Sequence, residues 1–132
     1  MHISLFCYKA KVVSVYDGDT CRVDIDLGVG VWKSNETLRL HRINAPELRG
    51  TEYELGKLSR DYLRSLISDR DVLLQTIRDK KGKYGRYLAE IWVVDAESGL
   101  WINVNDEMIR AKHAKYYGDE MKPLQFDVNE IV

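Results

Sequence analysis

The sequence has little of several features that mark particular protein classes. It contains two cysteines and two prolines, and its longest apolar runs are only a few residues, far short of the 18 or more of a membrane-spanning helix. Two cysteines, Cys7 and Cys21, make neither a disulfide framework nor a paired metal motif, so we interpret both as free thiols. No basic segment followed by an apolar stretch opens the chain, as in a secretory signal, so a cytoplasmic location without membrane contact is expected.

An excess of charge of one sign is also missing. Twenty basic and 21 acidic residues leave a net charge of -1, which excludes a polycation that coats nucleic acid indiscriminately. The charge is nevertheless uneven: residues 33–90 hold thirteen bases and nine acids (+4), and residues 91–132 hold four and eight (-4). With 45% apolar residues, the chain is expected to form a single domain over 1–132, with a core of about 8–117 and an acidic tail at 118–132.

Alternation of apolar and polar residues predicts five strands. Between the first two, Asp17-Gly18-Asp19-Thr20 is typical of a tight turn, and Pro46 ends the third because it cannot continue a ladder. The residues between the second and third strands, 28–35, are predicted to form a loop. The predicted strands cover residues 8–16, 21–27, 36–43, 71–78 and 87–94.

Helical periodicity predicts two helices. Residues 51–68 carry apolar side chains at spacings of three and four, and residues 103–112 form a second, shorter amphipathic segment. The order of three strands, a helix, two strands and a closing helix indicates a mainly β, α+β fold: a five-stranded OB-fold barrel with two to three helices. The apolar side chains of the first predicted helix are Leu55, Leu58, Tyr62 and Leu66, with Leu63 and Ile67 beside them, and those predicted to face inward in the second are Val104, Met108 and Ile109.

Three short polar segments are candidates for a functional site. They are Asp17-Gly18-Asp19-Thr20, then Arg39-Leu40-His41-Arg42-Ile43-Asn44-Ala45-Pro46-Glu47, and then Lys83-Tyr84-Gly85-Arg86. Each alone is typical of an ordinary turn or strand end. Taken together, in this order and over about residues 8–117, they resemble the staphylococcal nuclease family, also called thermonuclease or micrococcal nuclease.

The resemblance implies a staphylococcal nuclease-like barrel and a calcium-dependent enzyme that hydrolyses phosphodiester bonds of DNA and RNA, with single strands preferred and 3′-phosphate products. It implies catalytic roles for Arg39 and Arg86, which match the arginines that hold the scissile phosphate, and for Glu47, which matches the general base. Asp19 matches a calcium-binding aspartate, and Ala45 falls where a backbone carbonyl binds the metal. Implied substrate-binding residues are Lys83 and Tyr84, with Tyr116 and Tyr117 as candidates for stacking on a base.

One position departs from the family pattern. Asn44 stands where the family has a second calcium-binding aspartate, so one oxygen ligand is kept while a negative charge is lost. Weaker metal binding is expected, and another divalent metal could replace Ca²⁺.

The residue types also suit this chemistry on physical grounds. Two arginines can each bond two phosphate oxygens with a planar, permanently charged group, and a carboxylate at Glu47 can accept a proton from water. Two alternatives stay open at this point. One is a non-catalytic OB module that binds single-stranded nucleic acid or a protein partner, and the other is a structural domain that uses the barrel only as a scaffold.

Overall fold

The computed structural model describes residues 6–77, 87–116 and 129. Its first three strands form a continuous antiparallel meander, in which β2 pairs with both neighbours. The β1–β2 pairing ends at Asp17 and Thr20, so the predicted tight turn joins these strands. The meander consists of β1 (Cys7–Asp17), β2 (Thr20–Gly28) and β3 (Val31–Leu40).

Two later strands close this meander into a barrel. β5 (Asp71–Ile77) pairs antiparallel with β1, and β6 (Tyr87–Val94) pairs antiparallel with β5. β6 then pairs in parallel with the end of β3, through Leu38 with Tyr87 and Arg39 with Leu88. The result is a closed, mixed five-stranded barrel with two helices, which confirms the predicted α+β fold of the OB type.

Alternate residues of β1, β2 and β5 fill the barrel, as the period of two requires, whereas β6 is buried without interruption over residues 89–93. Cys21 is one of these buried residues, and burial, followed by the charge of Asp17, raises the pKa of its thiol to about 12. Both cysteines are free, as predicted. The largest fully buried side chains of the barrel strands are Val12, Val23, Leu38, Leu40, Val72, Leu74 and Ile91.

The third strand begins and ends earlier than predicted. It starts at Val31, inside the segment predicted to be a loop, and ends at Leu40, before a two-residue turn. Arg42 in that turn has φ 72°, in the left-handed region that ends a strand. After the turn comes β4 (Ile43–Asn44), which leaves the barrel and pairs antiparallel with β8 (Lys115–Tyr116).

The first helix has the predicted position, but its buried face agrees with the predicted apolar stripe only at Leu63 and Ile67. A short 3-10 helix (Gly50–Glu52) leads into α1 (Tyr53–Ile67). The residues of α1 that are buried are Gly56, Ser59, Leu63 and Ile67. The predicted core-facing residues Leu55 and Leu58 are instead 59% and 58% exposed, and Tyr62 and Leu66 are half-buried.

One more short strand and a second helix complete the described part. β7 (Trp101–Asn103) extends the sheet beside β6 and leads directly into α2 (Val104–Arg110). The side chain of Asn103 accepts a hydrogen bond from the backbone N–H of Asp106, which is the usual cap of a helix N-terminus. Within the described residues, no helix is long and apolar enough to cross a membrane.

Candidate functional site

The predicted site residues that are described lie around the turn of the β1–β2 hairpin and the segment after β4. Asp19 is buried, with 7% of its surface exposed. Its Oδ2 accepts a hydrogen bond from the backbone N–H of Ala45 at 2.8 Å, and its Oδ1 accepts one from the hydroxyl of Thr20 at 3.1 Å. The hairpin turn is therefore fixed to the segment that follows β4.

Arg39 joins the same two segments through its guanidinium. Nη1 donates to the backbone carbonyls of Leu40 and Ile43, at 2.8 and 2.9 Å. Nη2 donates to Oδ1 of Asn44 at 3.1 Å and lies 3.4 Å from Oδ2 of Asp19. One guanidinium nitrogen thus lies between the two side chains for which the sequence predicts metal ligation.

The side chain of Asp17 stabilises the hairpin turn. Its Oδ1 accepts the backbone N–H of Asp19 at 3.0 Å. Burial, and next the negative charge of Asp19, raise the pKa of Asp17 from 3.8 to about 6. Two carboxyl groups so close cannot both be ionised without cost.

Glu47 lies on the rim of the site and is exposed. Its Oε2 accepts a hydrogen bond from Nε of Arg49 at 2.8 Å, and its backbone N–H donates to Glu52 at 3.1 Å. Glu47 and Asp17 also line one cavity of about 210 Å³ together with Tyr16, Leu48 and Arg49. The carboxylate therefore faces solvent and is held by a neighbouring cation.

Helix α1 fits against this site through its smallest residues. A Cβ at Gly56 would overlap the carbonyl oxygen of Glu47 and lie 2.8 Å from its carbon, so only glycine allows this approach. One turn later, Ser59 packs against Gly18 of the hairpin turn and donates its hydroxyl to the carbonyl of His113 at 2.8 Å. Close packing of α1 fixes the backbone on both sides of the site.

A buried ionic cluster lies beneath β4. Arg42 is 8% exposed and Glu90 is 1% exposed. Arg42 makes a two-bond contact with Glu90, through Nε at 3.0 Å and Nη2 at 2.7 Å, and its Nη1 donates to Asp106 at 2.6 Å. Tyr116 donates its hydroxyl to Asp106 at 3.1 Å, and the Arg42 guanidinium lies 5.9 Å from the centre of its ring. This cluster connects β4 and β8 to the barrel and to α2.

The sequence prediction did not include Arg42, Glu90 or Asp106. A signal was present, because Arg42 follows the inward-facing Leu38 and Leu40 at the same period of two, and Glu90 interrupts an apolar run. Charged residues at core positions are almost always paired.

A groove of about 530 Å³ begins at this site and runs between α1 and the segment that follows α2. Tyr116 lines it, so this predicted substrate-binding residue is next to the loop of Asn44 to Glu47. Four other predicted site residues lie outside the described residues: Lys83, Tyr84, Arg86 and Tyr117.

The donors at the site suit a hard cation. Asp19 supplies a carboxylate, Asn44 an amide oxygen and Ala45 a backbone carbonyl, and oxygen donors of this kind are those that Ca²⁺ binds. Within the described residues, no group of three or more histidine, cysteine, aspartate or glutamate side chains could hold a metal ion. Any ion at this place would therefore depend on the neutral oxygens of Asn44 and Ala45 beside Asp19.

Comparison with known proteins identifies the family of this chain. The family described as staphylococcal nuclease homologue matches residues 37–129, a segment that contains Arg39, Asn44 and Glu47. The hairpin turn with Asp19 lies before the matched segment.

Three curated relatives are each 30% identical to this chain. An uncharacterized protein of Methanocaldococcus jannaschii aligns over 125 residues, covering 83% of this chain and 59% of its own length. A thermonuclease of Staphylococcus intermedius aligns over 107 residues, covering 79% and 54%. A thermonuclease of Staphylococcus hyicus aligns over 86 residues, covering 63% and 47%.

The chain therefore spans roughly half to three-fifths of the length of these relatives. The family match covers well over half of this chain, from the end of β3 onwards, and it includes the loop that carries Asn44 and Glu47. This chain belongs to the staphylococcal nuclease family.

Proposed function

We propose that this protein is a metal-dependent nuclease that hydrolyses phosphodiester bonds of DNA and RNA and prefers single strands. The observation that carries the proposal is the meeting of Asp19, Arg39 and Asn44 around one guanidinium nitrogen. It brings a carboxylate, a permanent cation and a neutral oxygen donor together at the mouth of a barrel. The family membership supports the same activity.

Arg39 is the residue that binds the scissile phosphate. Its Nη1 is anchored by two backbone carbonyls, so the orientation of the guanidinium is fixed before the substrate arrives. Nη2 is bound only to side-chain oxygens and can exchange them for phosphate oxygens. A preorganised cation stabilises the negative charge that develops on the phosphate in the transition state. Arg86 is proposed as the second phosphate-binding arginine.

Glu47 is the general base. Its Oε2 is held by Arg49, which leaves Oε1 to accept a proton from an attacking water. Proton transfer to a positioned carboxylate contributes about 10²–10⁴ in rate. The packing of Gly56 against the Glu47 backbone keeps this carboxylate at the rim of the site.

A divalent cation, with Ca²⁺ as the first candidate, would be held by Asp19, Asn44 and the carbonyl of Ala45. When bound, it supplies Lewis acidity at the phosphate. The other proposed substrate contacts are Lys83, Tyr84, Tyr116 and Tyr117, and 3′-phosphate products are expected.

The experiment is hydrolysis of heat-denatured DNA. The parent protein is expected to cleave it with Ca²⁺ and to be inactive with a chelator. Glu47→Gln is expected to lose about 10²–10⁴ in rate, whereas Glu97→Gln, an exposed glutamate in the turn after β6, serves as the matched control and retains full activity. Unchanged activity in both Glu47→Gln and Arg86→Ala would sink the proposal.

A non-catalytic, single-strand-binding module is the second candidate. Asn44 favours a binding module, because this neutral residue stands where the family has an aspartate, and one negative charge that would hold a cation is therefore missing. The two functions differ in one outcome: a binding module retains labelled single strands in a salt-sensitive manner and cleaves none of them with Ca²⁺, Mg²⁺ or Mn²⁺.

A further inference from the structure

The groove that starts at the site is lined along most of its length by residues that have no role in the proposed hydrolysis step. Asn44, Ala45, Pro46 and Glu47 form one end of it. Its walls are the exposed face of α1, with Leu55 and Leu58, and the segment 112–116, with two lysines. We propose that this groove binds one nucleotide of the substrate strand next to the scissile phosphate, with Lys112 and Lys115 contacting phosphate and the base lying on the apolar wall. The proposal rests on the proposed function.

Charge complementarity is the first argument. Lys112 and Lys115 are both exposed, and neither forms an ion pair with another described residue. The acidic residues of the groove, Glu47 and Glu52, lie at its catalytic end, where Glu52 is engaged by the backbone N–H of Glu47. An anionic strand that leaves the site therefore meets two lysines that no described carboxylate neutralises.

The apolar wall is the second argument. Leu55 and Leu58 lie on the face of α1 that helical periodicity predicts to be buried, yet both are more than half exposed. Opposite them, the half-buried ring of His113 stacks on Tyr62 with centroids 4.6 Å apart, and Tyr116 is fixed by Asp106. Ordered aromatic and aliphatic surface beside cations suits a base with its phosphate, because every base has an apolar face.

The backbone at Lys112 is the third argument. This residue follows the end of α2 with φ 64°, a conformation that glycine adopts freely and side chains with a Cβ do not. Its backbone N–H donates to Ile109, and that of His113 donates to Met108, so the turn is a helix ending of the kind that favours glycine. A lysine in this place costs stability, which points to a use for its side chain.

The groove is also continuous with the proposed active site. In the pairing of β4 with β8, Asn44 lies opposite Lys115. A candidate metal ligand and a groove lysine are therefore neighbours in one strand pair. A strand whose phosphate is held by Arg39 need not cross any other element to enter the groove.

The test separates stability from binding. We would measure urea unfolding of Lys112→Gly, and its affinity for a fluorescent single-stranded oligothymidylate of eight nucleotides in chelator. Lys112→Gly is expected to unfold at an equal or higher urea concentration than the parent, to bind about three- to tenfold more weakly, and to show a salt slope smaller by about 0.7. Leu58→Ser is expected to weaken binding without changing the salt slope.

Two controls match these changes. Asn35→Gly relieves the same left-handed conformation (φ 58°) in a neutral residue of β3, and Lys11→Ala removes an exposed lysine of β1; both are expected to bind as the parent does. The groove proposal is overturned if Lys112→Gly and Leu58→Ser both bind like the parent, or if the parent does not bind the probe. If the parent binds through the groove but cleaves no DNA with any divalent metal, the groove stands and the nuclease proposal fails.

Discussion

Arg39 donates hydrogen bonds to two backbone carbonyls and to the side chain of Asn44, and its Nη2 lies 3.4 Å from Oδ2 of Asp19. Together with the hydrogen bond from the Ala45 backbone to Asp19, it sets the separation of the two candidate metal ligands. Asp19 and Arg39 carry opposite charges and Asn44 is neutral, so the net charge of these three side chains is close to zero. This net charge governs how strongly a cation is attracted.

Replacing Asn44 by aspartate changes that balance by one charge. Asn44→Asp places a second carboxylate next to Asp19, so Ca²⁺ affinity is expected to rise by about tenfold, or ~1.4 kcal/mol. Isothermal titration with Ca²⁺ measures the effect, and Asn35→Asp on β3 is the control for charge alone. An unchanged affinity in Asn44→Asp would show that this side chain does not face the ion.

The raised pKa of Asp17 predicts a pH-dependent stability. An exposed aspartate ionises near 3.8, and Asp17 does so near 6 in the folded protein. Between these values the unfolded chain releases a proton that the folded protein keeps, so folding is destabilised as the pH rises from about 4 to 6, and it stays so above. Asp17→Asn removes this penalty.

The variant Asp17→Asn is therefore expected to be more stable than the parent by roughly 1–2 kcal/mol at pH 7.5, and by clearly less at pH 4.5. Urea unfolding in chelator at both pH values measures this. A stability gain of equal size at both pH values would contradict the explanation.

At the scale of elements, α1 acts as a support for the site more than as a hydrophobic cover. Its closest approaches are made by Gly56 to the Glu47 backbone and by Ser59 to the hairpin turn. Hydrophobic packing by Leu63 and Ile67 then holds the second half of the helix on the barrel. The geometry of the active-site loop thus depends on how near the helix backbone can come.

Adding one methyl group tests this dependence. Gly56→Ala is expected to push the helix and the Glu47 loop apart, lowering the free energy of unfolding by about 1–3 kcal/mol, and lowering the cleavage rate measured at a temperature where the variant is fully folded. Ser65→Ala, on the exposed face of the same helix, is the control and is expected to change neither quantity appreciably. A Gly56→Ala enzyme with parental activity would show that the loop adjusts freely.

At the scale of the whole molecule, the Arg42 cluster joins parts of the chain that are far apart in sequence. It links the turn after β3 with Glu90 of β6 and Asp106 of α2. A buried charge that loses its partner is costly, whereas removing both charges is much less so.

This asymmetry gives a prediction for paired variants. Arg42→Met alone is expected to lower the free energy of unfolding by about 3–5 kcal/mol, and the double variant Arg42→Met with Glu90→Leu to recover much of that loss. The exposed pair Lys33 and Glu36 is the control, since its removal costs only about 0–1 kcal/mol. Denaturant unfolding of all variants would refute the pairing if the double variant were no more stable than Arg42→Met.

Much of the barrel could be predicted because its strands alternate. β1, β2 and β5 have one face in the core, and the period of two marks them, whereas β6 is buried on both faces and is marked by a mostly apolar run. The start of β3 could not be predicted in this way, because Val31 and Trp32 are both about half exposed and the strand is held there by pairing with β2. β4 and β8 contain two residues each, too few for any period to be visible.

The buried face in the first half of α1 could not be predicted from hydrophobicity for a different reason. Sequence patterns assign large apolar residues to the core, but here the space against the site admits only Gly56 and Ser59. For the site itself, the motifs identified Asp19, Arg39 and Asn44, which the fold brings together. They gave no indication that Arg49 holds Glu47, because an ion pair between exposed side chains has no pattern of its own.

The pairing of β4 with β8 has a consequence for the order in which the protein becomes competent during synthesis. Asn44 is made early, but its strand partner Lys115 and the anchor Asp106 follow more than sixty residues later. Until residue 116 has been made, β4 has no strand partner, and one wall of the groove does not yet exist. The proposed RNA-cleaving site is thus completed only after residue 116 has been made, and a shorter nascent chain does not present it to the message that is being translated.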